Sequence, residues 1–145
     1  MEDRQEFISA DEERLLGTDQ DEYIVATLPA SIEQKVIQFL NENTNARAFA
    51  EMPETVELPG DGRFLIVEKT GSAYGNQILT AIIAVQSYAK TLFDASILNE
   101  VVKRAMFEFA LRDDICRVDL NSDYVFTNTE KKQPRYQAVF EIIHY

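Results

Sequence analysis

The sequence predicts an α+β fold: a mixed or antiparallel sheet of about four to five strands packed against two main helices. Two observations carry this expectation. Segments beginning at Ile32 and Leu92 place apolar residues at helical spacing behind a capping residue. Four runs rich in β-branched and aromatic residues are bounded by Gly, Pro or Asn clusters. The order is helix, strand, hairpin, helix, hairpin. At 145 residues, 46% of them apolar with nine Phe, six Tyr and no Trp, the chain can bury one domain's core without disulfides or metals.

Taken in order, Ser9-Ala-Asp-Glu12 has capping-box spacing and Gly17 can end the short helix it opens. Tyr23–Leu28 is a brief β-branched run closed by Pro29. Ser31-Ile-Glu-Gln34 is a second capping box, opening a helix with Ile32, Val36, Phe39 and Leu40 on one stripe and fading in the Asn-rich stretch Asn41–Asn45. Ala46–Ala50 is a candidate strand, and Met52–Gly62, with two prolines and two glycines, a loop.

Arg63–Lys69 and Ile78–Tyr88 read as strands apolar on both faces, hence mid-sheet, joined by an extended loop Thr70–Gln77. Thr91 caps a helix Leu92–Ala110 whose buried stripe is expected to be Leu92, Ala95, Leu98, Val102, Met106 and Phe109. On its other face Glu100 and Arg104 form an i,i+4 pair. Ile115–Thr127 and Arg135–Tyr145 are the last two strands, joined by the turn Asn128–Pro134. The domain expectation is an acidic arm over residues 1–30 and a single α+β domain over residues 31–145.

Charge is unevenly placed. Residues 1–22 hold nine carboxylates and two arginines, a net of −7 out of −11 for the chain, so the body is nearly balanced. An acidic chain without a basic stripe is poorly suited to gripping nucleic acid, whose phosphates it repels. No window approaches a membrane-spanning apolar run, and the N-terminal MEDRQEFISADEER is too acidic and polar for a secretory or transit signal. The lone thiol, Cys116, cannot make an internal disulfide framework, in keeping with a cytoplasmic setting.

Chemistry-bearing residues are sparse. His144 is the single histidine and reads as an ordinary residue of the terminal strand. Cys116 alternates in phase with Val118 and Leu120, which predicts a buried small hydrophobe. Gly71-Ser-Ala-Tyr-Gly75 lacks the Lys-Ser/Thr of a P-loop and is followed by strand, leaving no helix N-terminus for a phosphate. Asp119, Asn121, Asp123 and Glu130 occupy positions 1, 3, 5 and 12 of an EF-hand loop, but the sixth position is Tyr124 instead of the turn-forming glycine. Strand alternation accounts for the first three by placing them on one solvated face. The expectation is therefore no metal, no cofactor and no enzymatic activity.

One resemblance joins these pieces. Met52-Pro53-Glu54, Gly62-Arg63-Phe64-Leu65-Ile66-Val67-Glu68-Lys69-Thr70-Gly71, Ala84-Val85-Gln86-Ser87-Tyr88-Ala89, the helix Ala95–Phe109 and Pro134-Arg135-Tyr136-Gln137 occur in that order. Together, over residues 32–145, they resemble the tail terminator (tail completion) proteins of long-tailed bacteriophages. In that family a strand and turn P-x-x-R-F-hydrophobic-V-E-R-T-G-G precedes a strand ending V-Q-x-W/Y-A, and P-R-Y-Q announces the last strand. Lys69 and Ser72 depart from the family's Arg and second Gly, and the arm 1–30 is longer than the family requires.

The resemblance implies a non-enzymatic virion protein. It would form a homo-oligomeric ring, expected to be a hexamer, at the head-proximal end of the tail. There it would stop tail-tube polymerisation and join the tail to the head. The implied partners are the tail tube protein and a neck or head-completion protein, with genome DNA passing through the lumen without specific binding and no membrane involved. Thr70, Gly71, Tyr74, Asn76, Lys131 and Lys132, in the two hairpin loops, are the expected ring-contact residues. The alternatives are another head–tail connector, an adaptor or stopper, or a small α+β binding domain or enzyme.

Overall fold

The structure, a computed structural model, describes residues 30–54, 59–127 and 133–145. Among these are two helices and one five-stranded mixed sheet, so the fold is α+β as the sequence predicts. The acidic arm, its capping box at Ser9, the run Tyr23–Leu28, and Glu130, Lys131 and Lys132 lie outside the described residues.

Helix α1 (Ile32–Asn43) starts where expected. Ser31 Oγ accepts the Gln34 amide at 3.2 Å, and Gln34 Oε1 accepts the Ser31 amide at 2.9 Å, closing the capping box. It ends at Thr44, whose amide donates to the Leu40 carbonyl at 2.9 Å. Asn41 Oδ1 then accepts the Ala48 amide at 2.8 Å, pinning strand β1 (Arg47–Phe49) to the helix end.

Strands β2 (Phe64–Gly75) and β3 (Ile78–Tyr88) form a long hairpin, and helix α2 (Leu92–Phe109) follows. Thr91 Oγ1 caps α2 by accepting the Asp94 amide at 3.1 Å. Strands β4 (Ile115–Val125) and β5 (Arg135–His144) complete the sheet in the order β1-β2-β3-β5-β4. The β1–β2 pair is parallel and the other three are antiparallel.

Both helices lie on one face of the sheet. The core packs Val36 and Leu40 of α1 and Leu98, Val102, Met106 and Phe109 of α2 against Leu65, Val67, Ile83, Val85, Ala138, Phe140 and Ile142. Phe39 meets the Phe109 ring edge-on at 5.2 Å, where the helices touch. Of the expected α2 stripe, Leu92 alone departs: it is exposed at the first helical position, before the helix reaches the sheet. Glu100 pairs with Lys103 at 2.7 Å instead of with Arg104, because Lys103 leans toward β4 while Arg104 faces solvent.

Two further expectations are corrected. Thr70–Gln77 is not an extended loop. Pairing runs on to Gly75↔Ile78, and the turn is the two residues Asn76 (φ 54) and Gln77 (φ 64), both left-handed as a type I′ hairpin requires. Within the paired stretch there is one irregularity, a bulge between Lys69 and Gly71. Cys116, expected to be buried, is exposed. The register of β4 shifts between Ile115 and Arg117, so Ile115 and Val118 both reach the core and Cys116 is left outside.

Candidate functional site

On the sheet face opposite the helices, two of the quoted stretches become neighbours. Gln86 lies across from Gln137 and Tyr88 across from Arg135, and the Ala89 amide donates to the Pro134 carbonyl at 3.4 Å. The Val85–Ala89 stretch and the Pro134–Gln137 stretch are thus one cross-strand unit.

The side chains of that unit form a polar chain with one direction. Arg135 Nη1 donates to Tyr88 Oη at 2.6 Å, and the Tyr88 hydroxyl donates to Gln86 Oε1 at 3.0 Å. Gln86 Nε2 donates to Gln137 Oε1 at 3.0 Å, and Gln137 Nε2 donates to Tyr124 Oη at 2.6 Å. Arg135 cannot accept a hydrogen bond, so its end fixes the sense of every later link. Both glutamines are buried, and pairing satisfies amides that would otherwise oppose burial.

Aromatic rings hold the cation in place. The Arg135 guanidinium sits 4.2 Å from the Phe126 ring centre and 5.6 Å from that of Tyr88, and its Nε donates to the Phe126 carbonyl. The Tyr88 ring stacks on Phe64 at 4.6 Å with 6° between planes. Phe64, Ile66 and Tyr88, with Phe49 packed against them, make a small second apolar cluster on this face.

The expected contact residues in the first hairpin run from its middle to its tip. Thr70 sits at the bulge, Gly71 faces Ile82 across it, Tyr74 is 69% exposed, and Asn76 is in the turn. Strand β1 pairs only with Phe64–Ile66, so from Val67 to Gly75 the outer edge of β2 has no described strand beside it. These residues form an exposed edge and tip separate from the polar chain.

Of the EF-hand-like residues, Asp119 and Asp123 do not converge. A second register shift in β4, between Leu120 and Ser122, turns the strand over. Asp119 pairs opposite Glu141 on the face away from the helices, while Asp123 pairs opposite Ala138 on the helix face. Sequence alternation had placed both on one solvated face, and the bulge overturns that. Asp119 binds Arg117 at 2.7 Å, and Asp123 Oδ2 accepts Lys103 Nζ at 2.7 Å and Asn99 Nδ2 at 3.0 Å. Lys103 lowers the Asp123 pKa below the ordinary carboxylate value, and Asp123 in turn raises that of Lys103. Among the described residues no group of three or more His, Cys, Asp or Glu is placed to hold a metal ion.

His144 is buried at the end of β5, where loss of water lowers its pKa; its Nδ1 lies 3.3 Å from the Tyr145 carbonyl oxygen. Asp114 accepts from Arg112 at 3.1 Å and from Lys35 at 2.9 Å, tying α1 to the turn after α2, and its pKa falls far below the ordinary value. No described helix is long and apolar enough to cross a membrane.

Sequence reasoning missed the polar chain, although a signal was present. Gln86 and Gln137 are polar residues placed inside otherwise apolar strands, and such residues need each other when the strands pair. Among proteins already known, no family model and no curated sequence matches this chain.

Proposed function

We propose that the chain is a structural subunit of a phage tail: a tail terminator that assembles into a ring on the last tail-tube ring. The observation that carries this reading is the union of the V-Q-x-Y-A and P-R-Y-Q stretches in one cross-strand unit. Patterns that resemble the family in scattered places along the chain are one physical object here, which ties the resemblance to the fold.

The fold offers what a ring subunit needs. Both ends of the sheet have a side without a described neighbour: β4 at one end, and at the other β1 and, beyond Ile66, β2. Unpaired backbone along an edge is a template for another chain's strand. Two unlike edges on one subunit permit a head-to-tail contact, and such contacts close into rings when the rotation allows. The hairpin tip at Tyr74–Asn76 is free to meet the tube or the neck. The acidic balance of the chain suits a lumen through which DNA slides, since repulsion keeps the genome from sticking.

Electron microscopy of the purified chain, alone and mixed with tail-tube polymers, tests the proposal. Rings with a central hole, found at one end of tubes whose growth they stop, are the expected result. Tubes that lengthen unchanged, or rings that bind only the portal side of heads, would reject the terminator; the second outcome points to an adaptor or stopper.

A further inference from the structure

The outward face of α2 carries a second feature, unrelated to the polar chain. Phe93 is 72% exposed, Ile97 47%, Phe107 52% and, in the helical turn just after the helix, Leu111 82%. At 100° per residue these four fall on one stripe about 27 Å long. Single exposed apolar residues are ordinary, but four in line form a patch. Glu100 and Arg104 lie in the middle of the stripe, and both are exposed. Arg104 makes no ion pair with another described residue, whereas Glu100 reaches Lys103 at 2.7 Å.

The spacing of these six residues selects the occupant. Phe93 and Leu111, Ile97 and Phe107, and Glu100 and Arg104 are three pairs centred on the same point of the helix. Turning the helix end for end therefore maps apolar positions onto apolar positions and the acid onto the base. A surface complementary to its own reversed copy is what a two-fold contact requires, because residue i meets j while j meets i.

We infer that α2 is a dimerisation helix that binds the α2 of a second copy of this chain, antiparallel, with Glu100 facing the partner's Arg104. Ile97 packs beside the partner's Phe107, and Phe93 beside the partner's Leu111. Two helix faces of this length bury on the order of 800–1,000 Å² in total, which is at the low end for specific interfaces and marks a weak, reversible dimer. The contact is two-fold and uses neither sheet edge, so it stands whether or not the tail reading holds.

Sedimentation equilibrium over micromolar to about 300 μM should show self-association. Glu100→Arg, which sets two arginines against each other at each end of the axis, should weaken it at least tenfold. The exchange Glu100→Arg with Arg104→Glu should restore it. A covalent readout works inside any larger assembly. In a Cys116→Ser background, Ile97→Cys with Phe107→Cys should oxidise to a disulfide-linked dimer, while either cysteine alone should not. Within one chain these positions are about 15 Å apart along the helix, too far for a bond. A chain that neither associates nor cross-links overturns the inference. So does a 97–107 cross-link whose yield survives Glu100→Arg, or a charge exchange that fails to restore it.

Discussion

Replacing Asp123 by alanine probes the joint between α2 and the sheet. Asp123 Oδ2 accepts from both Asn99 Nδ2 and Lys103 Nζ. Asn99 is 1% exposed, and its Oδ1 has no partner among the described residues. Without Asp123 the buried amide loses its acceptor, a cost of about 1–3 kcal/mol. The Lys103 ion pair is partly wet, with side-chain exposures of 18% and 29%, and Lys103 keeps Glu100 as a partner. That loss contributes about 0.5 kcal/mol after allowing for solvent screening. Asp123→Ala should therefore cost about 1.5–3.5 kcal/mol in urea titration at unchanged slope, or about 6–14 °C in melting temperature for a domain of this size. Asp123→Asn keeps an acceptor for Asn99 and should cost about 1 kcal/mol or less. Adding Asn99→Leu to Asp123→Ala should recover part of the loss by removing the stranded amide. A cost below about 0.5 kcal/mol for Asp123→Ala, or equal costs for the alanine and asparagine variants, would refute the reasoning.

Three further outcomes follow from single features. Gln77 holds a left-handed φ of 64° without being glycine, so Gln77→Gly should stabilise the domain by about 0.5–1 kcal/mol in the same titration. Burial lowers the His144 pKa from 6.5, so the unfolded chain binds the proton more readily and stability should fall as pH drops below about 6.5. His144→Phe should flatten that part of the stability–pH curve. The loss below about pH 4, where Asp114 and Asp123 take up protons, should remain. Cys116 is exposed, so it should react rapidly with a thiol reagent in the native state, and Cys116→Ser should change stability by less than about 0.5 kcal/mol.

Elements governed by a regular period were legible in the sequence. The capping box at Ser31, the Thr91 cap and the core positions from Ala95 to Phe109 follow from helical spacing, and the mid-sheet place of β3 from its long apolar run; β2, read the same way, is flanked on its outer edge only at Phe64–Ile66. What escaped was everything that breaks a period. One extra residue near Cys116 and another near Asn121 shift the phase of β4, and no local pattern announces them. That is why Cys116 came out exposed and why Asp119 and Asp123 face opposite ways. The first hairpin was misread for a related reason. Its two glycines made the whole of Thr70–Gln77 read as an extended loop, yet Gly71 and Gly75 lie in paired strand, and the chain turns at Asn76 and Gln77. The Gln86–Gln137 link depends on which strands become neighbours. A pairing of residues 51 positions apart is not written locally.

The same two glutamines decide how β5 is threaded beside β3. The strands carry Ala84, Ile82, Val139 and Ile143 on the face away from the helices, apolar residues that would tolerate one another in several alignments. Sliding β5 by two residues keeps every side chain on its proper face, so on the face away from the helices apolar burial alone discriminates weakly against the slip. In the slipped alignment, however, Gln86 and Gln137 part company and two buried amides lose partners, at about 1–3 kcal/mol each. Tyr88 and Arg135 would part as well. The glutamine pair thus acts as a key cut to one position of the lock. Replacing both by leucine would leave that alignment to the packing of Ala138, Phe140 and Ile142 against the helices and to the pairing with β4.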